Sequence, residues 1–175
     1  MNRIPKYIRG GEEERPEQTR VSDEIMKFLI KRETSLADAL DALTMVMLNA
    51  LGAKYGQREE FSRFFEQVSR FLESTERDRA VGLIHRDSEG AVKVQPRTVT
   101  MVGERPERTR RLAIEVGEVM AKCVPKSLPE GLDALTATML TTIEAACGRE
   151  RADEFDSLMR GFSTEMNRFA GGRVQ

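Results

Sequence analysis

Apolar residues recur along this chain three and four apart, the period of an α-helix, in stretches separated by short polar joints. Phe61, Phe64, Phe65, Val68, Phe71 and Leu72 form one stripe, and Phe155, Leu158, Met159, Phe162, Met166 and Phe169 form another. Leu112, Val116, Val119, Met120 and Cys123 keep the spacing until Val124-Pro125 stops it; Val21, Ile25, Met26, Phe28 and Leu29 keep it less cleanly. Start signals agree with these stretches. Pro16 and Pro106 suit a first helical turn, where N–H groups lack partners anyway. Ser127-x-x-Glu130 is a capping box with Pro129 in its first turn, and Ser35-x-x-Asp38 is its shorter-armed counterpart. Glu59 with Arg63 and Glu66 with Arg70 are predicted i, i+4 pairs on the solvent side.

The stretch from Leu36 to Leu51 differs from its neighbours. Its clearly polar residues are Asp38, Asp41, Thr44 and Asn49, so apolar side chains point almost all round, as in a helix buried at a centre.

The pattern repeats. Glu14-Arg-Pro-Glu-Gln-Thr-Arg20 returns as Glu104-Arg-Pro-Glu-Arg-Thr-Arg110, and residues 35–56 align without gaps on 127–148 with 11 identities in 22. The offset grows from 90 to 92 to 94 residues, each step falling at a joint between helices. The sequence therefore predicts an all-α fold: a tandem duplication of a three-helix unit forming a pseudo-twofold six-helix bundle. The middle helices face each other, as in a fused homodimer. The expected divisions are an N-terminal arm (1–13), copy 1 (14–80), a linker (81–103), copy 2 (104–170) and a tail (171–175). In the linker Val92, Val94, Val99, Thr100 and Val102 favour strand and Asp87-Ser-Glu-Gly90 a turn, so it reads as a short β-hairpin or an extended connection.

Composition adds limits. Leu, Ile, Val and Phe make up 41 of 175 residues, enough for a packed core without disulfides or metal. Lys plus Arg number 28 against 29 Asp plus Glu, and residues 1–90 and 91–175 are each close to neutral, so the whole-molecule field recruits neither DNA nor anionic lipid strongly. The N-terminal segment lacks a signal-peptide core, no stretch approaches an uninterrupted membrane span, and the two cysteines are too few for a disulfide framework; a cytoplasmic protein without a membrane partner is expected. Cys123 and Cys147 fall far apart on adjacent antiparallel helices and are not expected to pair.

Candidate chemistry is sparse. His85, the single histidine, reads as a surface loop residue with no partner for a metal, and no phosphate loop or nucleophile elbow is present, so neither enzyme nor cofactor is expected. Asp41 and Asp133 recur at matching sites: the simple reading puts each on its helix's exposed side, and the sharper one makes them a polar axis pair for a cation or small ligand. Thr136, Thr138, Thr141 and Thr142 read as a polar or closely packed helix face.

Arg105, Arg108, Arg110 and Arg111 form the best basic cluster, with Arg97 before it and Arg3, Lys6 and Arg9 in the arm; they are candidate nucleic-acid contacts. Glu104, Glu107 and Glu115 interleave the cluster, which favours a solvated charged face. Met45, Met47, Leu48, Leu51, Met139 and Leu140, on the middle helices, are the candidate partner-binding residues, with core packing as their default role. The leading expectation is a helical interaction protein that binds a protein partner or forms a homo-oligomer. A nucleic-acid-associated regulator comes second, and a ligand binder at Asp41/Asp133 third.

Overall fold

The computed structural model describes residues 16–95, 105–123 and 127–171. The N-terminal arm, the strand candidates Val99, Thr100 and Val102, the Val124-Pro125 stop and residues 172–175 of the tail lie outside them. The described chain is mostly helical with one small hairpin: α1 (Pro16–Lys31), α2 (Leu36–Tyr55), α3 (Glu59–Glu73), α4 (Arg77–Ala80), β1 (Leu83–Arg86), β2 (Val92–Gln95), α5 (Arg105–Cys123), α6 (Leu128–Cys147) and α7 (Arg149–Gly171).

Local chemistry sets the boundaries. Ser35 Oγ accepts from the Asp38 N–H at 3.2 Å, and Ser127 Oγ from the Glu130 N–H at 3.3 Å, so both middle helices start where the capping pattern predicts. They end alike: Gly56 (φ 77°) and Gly148 (φ 85°) take a backbone conformation that costs glycine nothing, and each donates its N–H four residues back. The four-residue α4 was not anticipated from the pattern.

Burial explains the all-round apolarity of α2. Every residue from Leu36 to Thr44 is buried, and α2 contacts α3, α4, α5 and α6. By length and composition alone this helix could cross a membrane, with mean hydropathy 1.4, but 61% of its apolar window is buried inside the chain. The packing exchanges partners between the halves: α1 lies on α6, α5 on α2, α2 on α6, and α3 on α7. Thr44 Oγ1 donates to Met139 Sδ at 3.8 Å between α2 and α6, and Ser22 and Thr138 hydroxyls meet at 2.9 Å between α1 and α6. Phe64 stacks on Phe162 at 4.0 Å between ring centroids, and Phe71 meets Phe155 edge-on at 5.1 Å, closing α3 against α7. Arg20 donates to the Cys123 carbonyl at 2.6 Å and Arg32 Nε to Glu115 Oε2 at 3.0 Å, which makes α1 antiparallel to α5. Of the predicted helix pairs, Glu66–Arg70 is present at 3.9 Å, whereas Arg63 turns to Glu60, one turn position nearer than Glu59.

The linker reads as the hairpin alternative. Antiparallel β1 and β2 pair Leu83 with Gln95 and Arg86 with Val92, and Asp87 Oδ1 closes the turn by accepting from the N–H groups of Glu89 and Ala91. The hairpin is sewn to the α1–α2 joint: Leu36 N–H donates to Gly82 O, Ile84 N–H to Thr34 O, and Ile84 is buried. Gly82 permits this approach, since a Cβ there would sit 2.6 Å from Val94 Cγ1 and 3.1 Å from the Gln95 carbonyl.

Candidate functional site

The clefts that remain after this packing lie along helix joints, and their linings differ in charge. Between α2, α3, α4 and α5 a cleft of about 410 Å³ is lined by Ala37, Asp41, Met45, Phe65, Ser69, Leu72, Glu73, Ala80, Pro106 and Thr109. Among the described residues its walls are mostly apolar and its charged groups are the carboxylates of Asp41 and Glu73. Helical spacing positions the lining: Ala37, Asp41 and Met45 follow one another by four along α2, and Phe65, Ser69 and Glu73 do so along α3. Phe65 belongs to the predicted α3 stripe, yet its ring is 39% exposed here while Phe61, Phe64, Val68, Phe71 and Leu72 are buried. The cleft thus leaves one aromatic of the core stripe facing water.

A second cleft, between α1 and α5, has the opposite character, with Arg20, Lys27, Lys31 and Lys122 around Phe28, Val119 and Cys123 and Glu24 as its one acid. Lys27 Nζ lies 2.6 Å from Glu24 Oε1; that hydrogen bond and charge hold its ammonium above the usual lysine pKa. Between α3 and α7 a groove of about 600 Å³ carries Arg70 with Glu154 and Glu165. A smaller one, about 310 Å³, is wholly uncharged: Val46, Ala50, Met120, Ser127, Leu128, Gly131, Leu132 and Leu135.

The chain matches no protein-family model, no curated protein and no solved structure. Function has to be read from the surfaces.

The sequence-derived candidates are distributed across these regions. Met47, Leu51, Met139 and Leu140 are core side chains; Met45 and Leu48 are half-buried, and Met45 reaches the acidic cleft. Asp41 and Asp133 are both buried, at 9% and 5% exposure, which corrects the exposed-side reading: α5 packs on α2 and α1 on α6. Asp41 faces the cleft beside Pro106 and Thr109 of α5. Asp133 sits on α6, which packs on α1 and α7. Among the described residues no group of three or more His, Cys, Asp or Glu side chains is gathered as metal ligands would be.

The arginines of α5 do not share one open face. Arg108 is half-buried with Nε 3.5 Å from Asp38 Oδ2, Arg111 pairs with Glu107 at 3.6 Å, Arg110 is exposed, and the Arg105 side chain lies outside the described residues. Thr136, Thr138 and Thr142 are buried, and their hydroxyls donate to carbonyls of their own helix, which is how α6 carries polar residues in a packed face. His85 stands on β1 opposite Lys93 rather than in a loop, because the linker pairs as a hairpin. Both cysteines are free thiols. Burial raises the pKa of the half-buried Cys147 thiol above the ordinary value, with Arg79 and Arg151 opposing it.

Sequence reasoning missed the acidic cleft because α2, α3, α4 and α5 contribute to it from distant stretches. The available signal was Phe65, one of six apolar residues in a stripe whose other five are already enough for one buried face.

Proposed function

We propose that this chain is a helical interaction protein that acts by binding a partner protein rather than by catalysis, and that the partner docks on the α2–α3 side. The observation that carries this reading is the exposed Phe65 ring beside half-buried Met45 at the mouth of a largely apolar cleft. Exposed aromatic and methionine side chains at a concave apolar surface are common anchors for partner proteins. The same reading takes residues 14–80 and 104–170 as two related three-helix units about a pseudo-twofold axis. It is supported by the 11 identities in 22 aligned residues, by the matching serine caps and by the exchanged packing of α1 on α6 and α5 on α2.

Affinity purification from the native host, run in parallel with wild type and Phe65→Asp, tests the docking surface. A protein recovered by wild type and lost by the folded variant supports it. Equal recovery by both overturns the assignment to this side, and a chain that recovers nothing and is monomeric by light scattering overturns the interaction reading altogether. Self-assembly through the same face is the outcome in which light scattering returns a multiple of 19.8 kDa that Phe65→Asp abolishes.

A further inference from the structure

We propose that the outer face of α5 is a self-complementary surface through which two copies of this chain associate, helix on antiparallel helix, about a twofold axis at Ile114. None of the residues used here lines the α2–α3 docking cleft, so the two readings stand or fall separately. Ile114 is 60% exposed, the most open large apolar side chain among the described residues. Glu107, Arg110, Arg111, Gly117, Glu118 and Ala121 lie three, four and seven positions to either side of it, and hence on the same face. Leu112, Val116 and Cys123, on the far side of the helix, are buried in the chain's own core.

Two features of this outer face have no use inside the chain. Gly117 sits in mid-helix, where glycine costs about 1 kcal/mol relative to alanine, yet a Cβ there would meet nothing within 4 Å. Internal packing does not require that glycine, whereas the close approach of a second helix would use it. Arg110 and Glu118 are both exposed, and neither has an ion-pair partner among the described residues, unlike Arg111, which Glu107 holds at 3.6 Å. Their spacing makes the face complementary to itself. Each stands four residues from Ile114, about 6 Å along the helix, one before it and one after. With Ile114 against the partner's Ile114 in an antiparallel pair, each Arg110 falls opposite the partner's Glu118, and each Gly117 opposite the partner's Arg111. A parallel pair would set like charges against each other. The twofold axis doubles every contact, as in closed dimers generally. One isoleucine per copy makes a small interface, so the association is micromolar rather than nanomolar.

Sedimentation equilibrium of the full chain between about 10 μM and 1 mM tests this, with circular dichroism to establish that each variant is folded. The expected result is a reversible equilibrium between 19.8 kDa and twice that mass. Ile114→Asp should weaken it about tenfold or more, by removing the apolar contact and setting two carboxylates together at the axis. Arg110→Glu and Glu118→Arg, both at exposed positions, should each weaken it about fivefold. The double variant should return to within about twofold of wild type, because the exchanged charges again face their opposites. Phe65→Asp should leave the equilibrium unchanged. A monomer throughout the range, or a dimer that Ile114→Asp leaves intact, overturns the proposal. So does a dimer abolished by Phe65→Asp, which would move self-association to the docking side. Charge variants that weaken the dimer singly and fail to recover together overturn the antiparallel register.

Discussion

Ser127 is the most economical residue to test. Its hydroxyl caps α6 by accepting from the Glu130 N–H, and the side chain is exposed, so Ser127→Ala removes the cap with little else. The expected cost is about 1 kcal/mol, which at this chain length lowers Tm by roughly 2–4 °C in a thermal melt. Gly82→Ala acts by overlap instead. Its new methyl would press on Val94 Cγ1 and on the Gln95 and Arg79 carbonyls where the hairpin meets the α1–α2 joint, and two of those three atoms are backbone. Denaturant unfolding should register a loss of about 1–3 kcal/mol. Cys147 gives a chemical readout of its surroundings: with its thiol pKa raised by burial, the reactive thiolate forms only at a pH above that of a free thiol. Alkylation by iodoacetamide near pH 8 should therefore be slower in the folded protein than after unfolding, with its midpoint displaced upward; equal rates would contradict the burial seen here.

Among the elements, α2 and α6 touch the most neighbours, and α3 closes on α7 at the seam between them. Phe162 stacks on Phe64 and meets Phe61 edge-on at 6.4 Å, so Phe162→Ala opens a cavity between two helices that touch few other elements. A loss of about 3–5 kcal/mol is expected by chemical denaturation. The helices themselves were legible in the sequence because their signals are local: serine caps, a proline in the first turn, and stripes at helical spacing. The centrality of α2 was also legible, since a helix apolar on every side has only one stable environment in water. Side-specific placement was not. Asp41 and Asp133 pointed outward when each helix was taken alone, and both are buried in a fold where α5 packs on α2 and α1 on α6. Local spacing holds no information about that packing. The acidic cleft was invisible for the same reason, as Asp41, Glu73 and Thr109 meet only when α2, α3 and α5 come together.

At the scale of the whole molecule the two halves are bound to each other by exchange rather than by simple stacking. α1 rests on α6 and α5 on α2, and the buried side chains of α2 and α6 include Leu36, Leu40, Leu43, Leu132, Leu135 and Met139. Burying one such side chain is worth about 1.5–3 kcal/mol, so the account predicts that neither half alone holds its middle helix in place. The near-neutral charge of each half fits this arrangement, because association needs no attraction of opposite modules and depends on apolar contact. The most direct test is to produce residues 1–99 and 100–175 as separate chains, record the circular dichroism melt of each alone, and repeat it on an equimolar mixture. The account predicts no cooperative melt from either fragment and a cooperative transition with a one-to-one complex from the mixture; fragments that each melt cooperatively as monomers and ignore one another when mixed would contradict it.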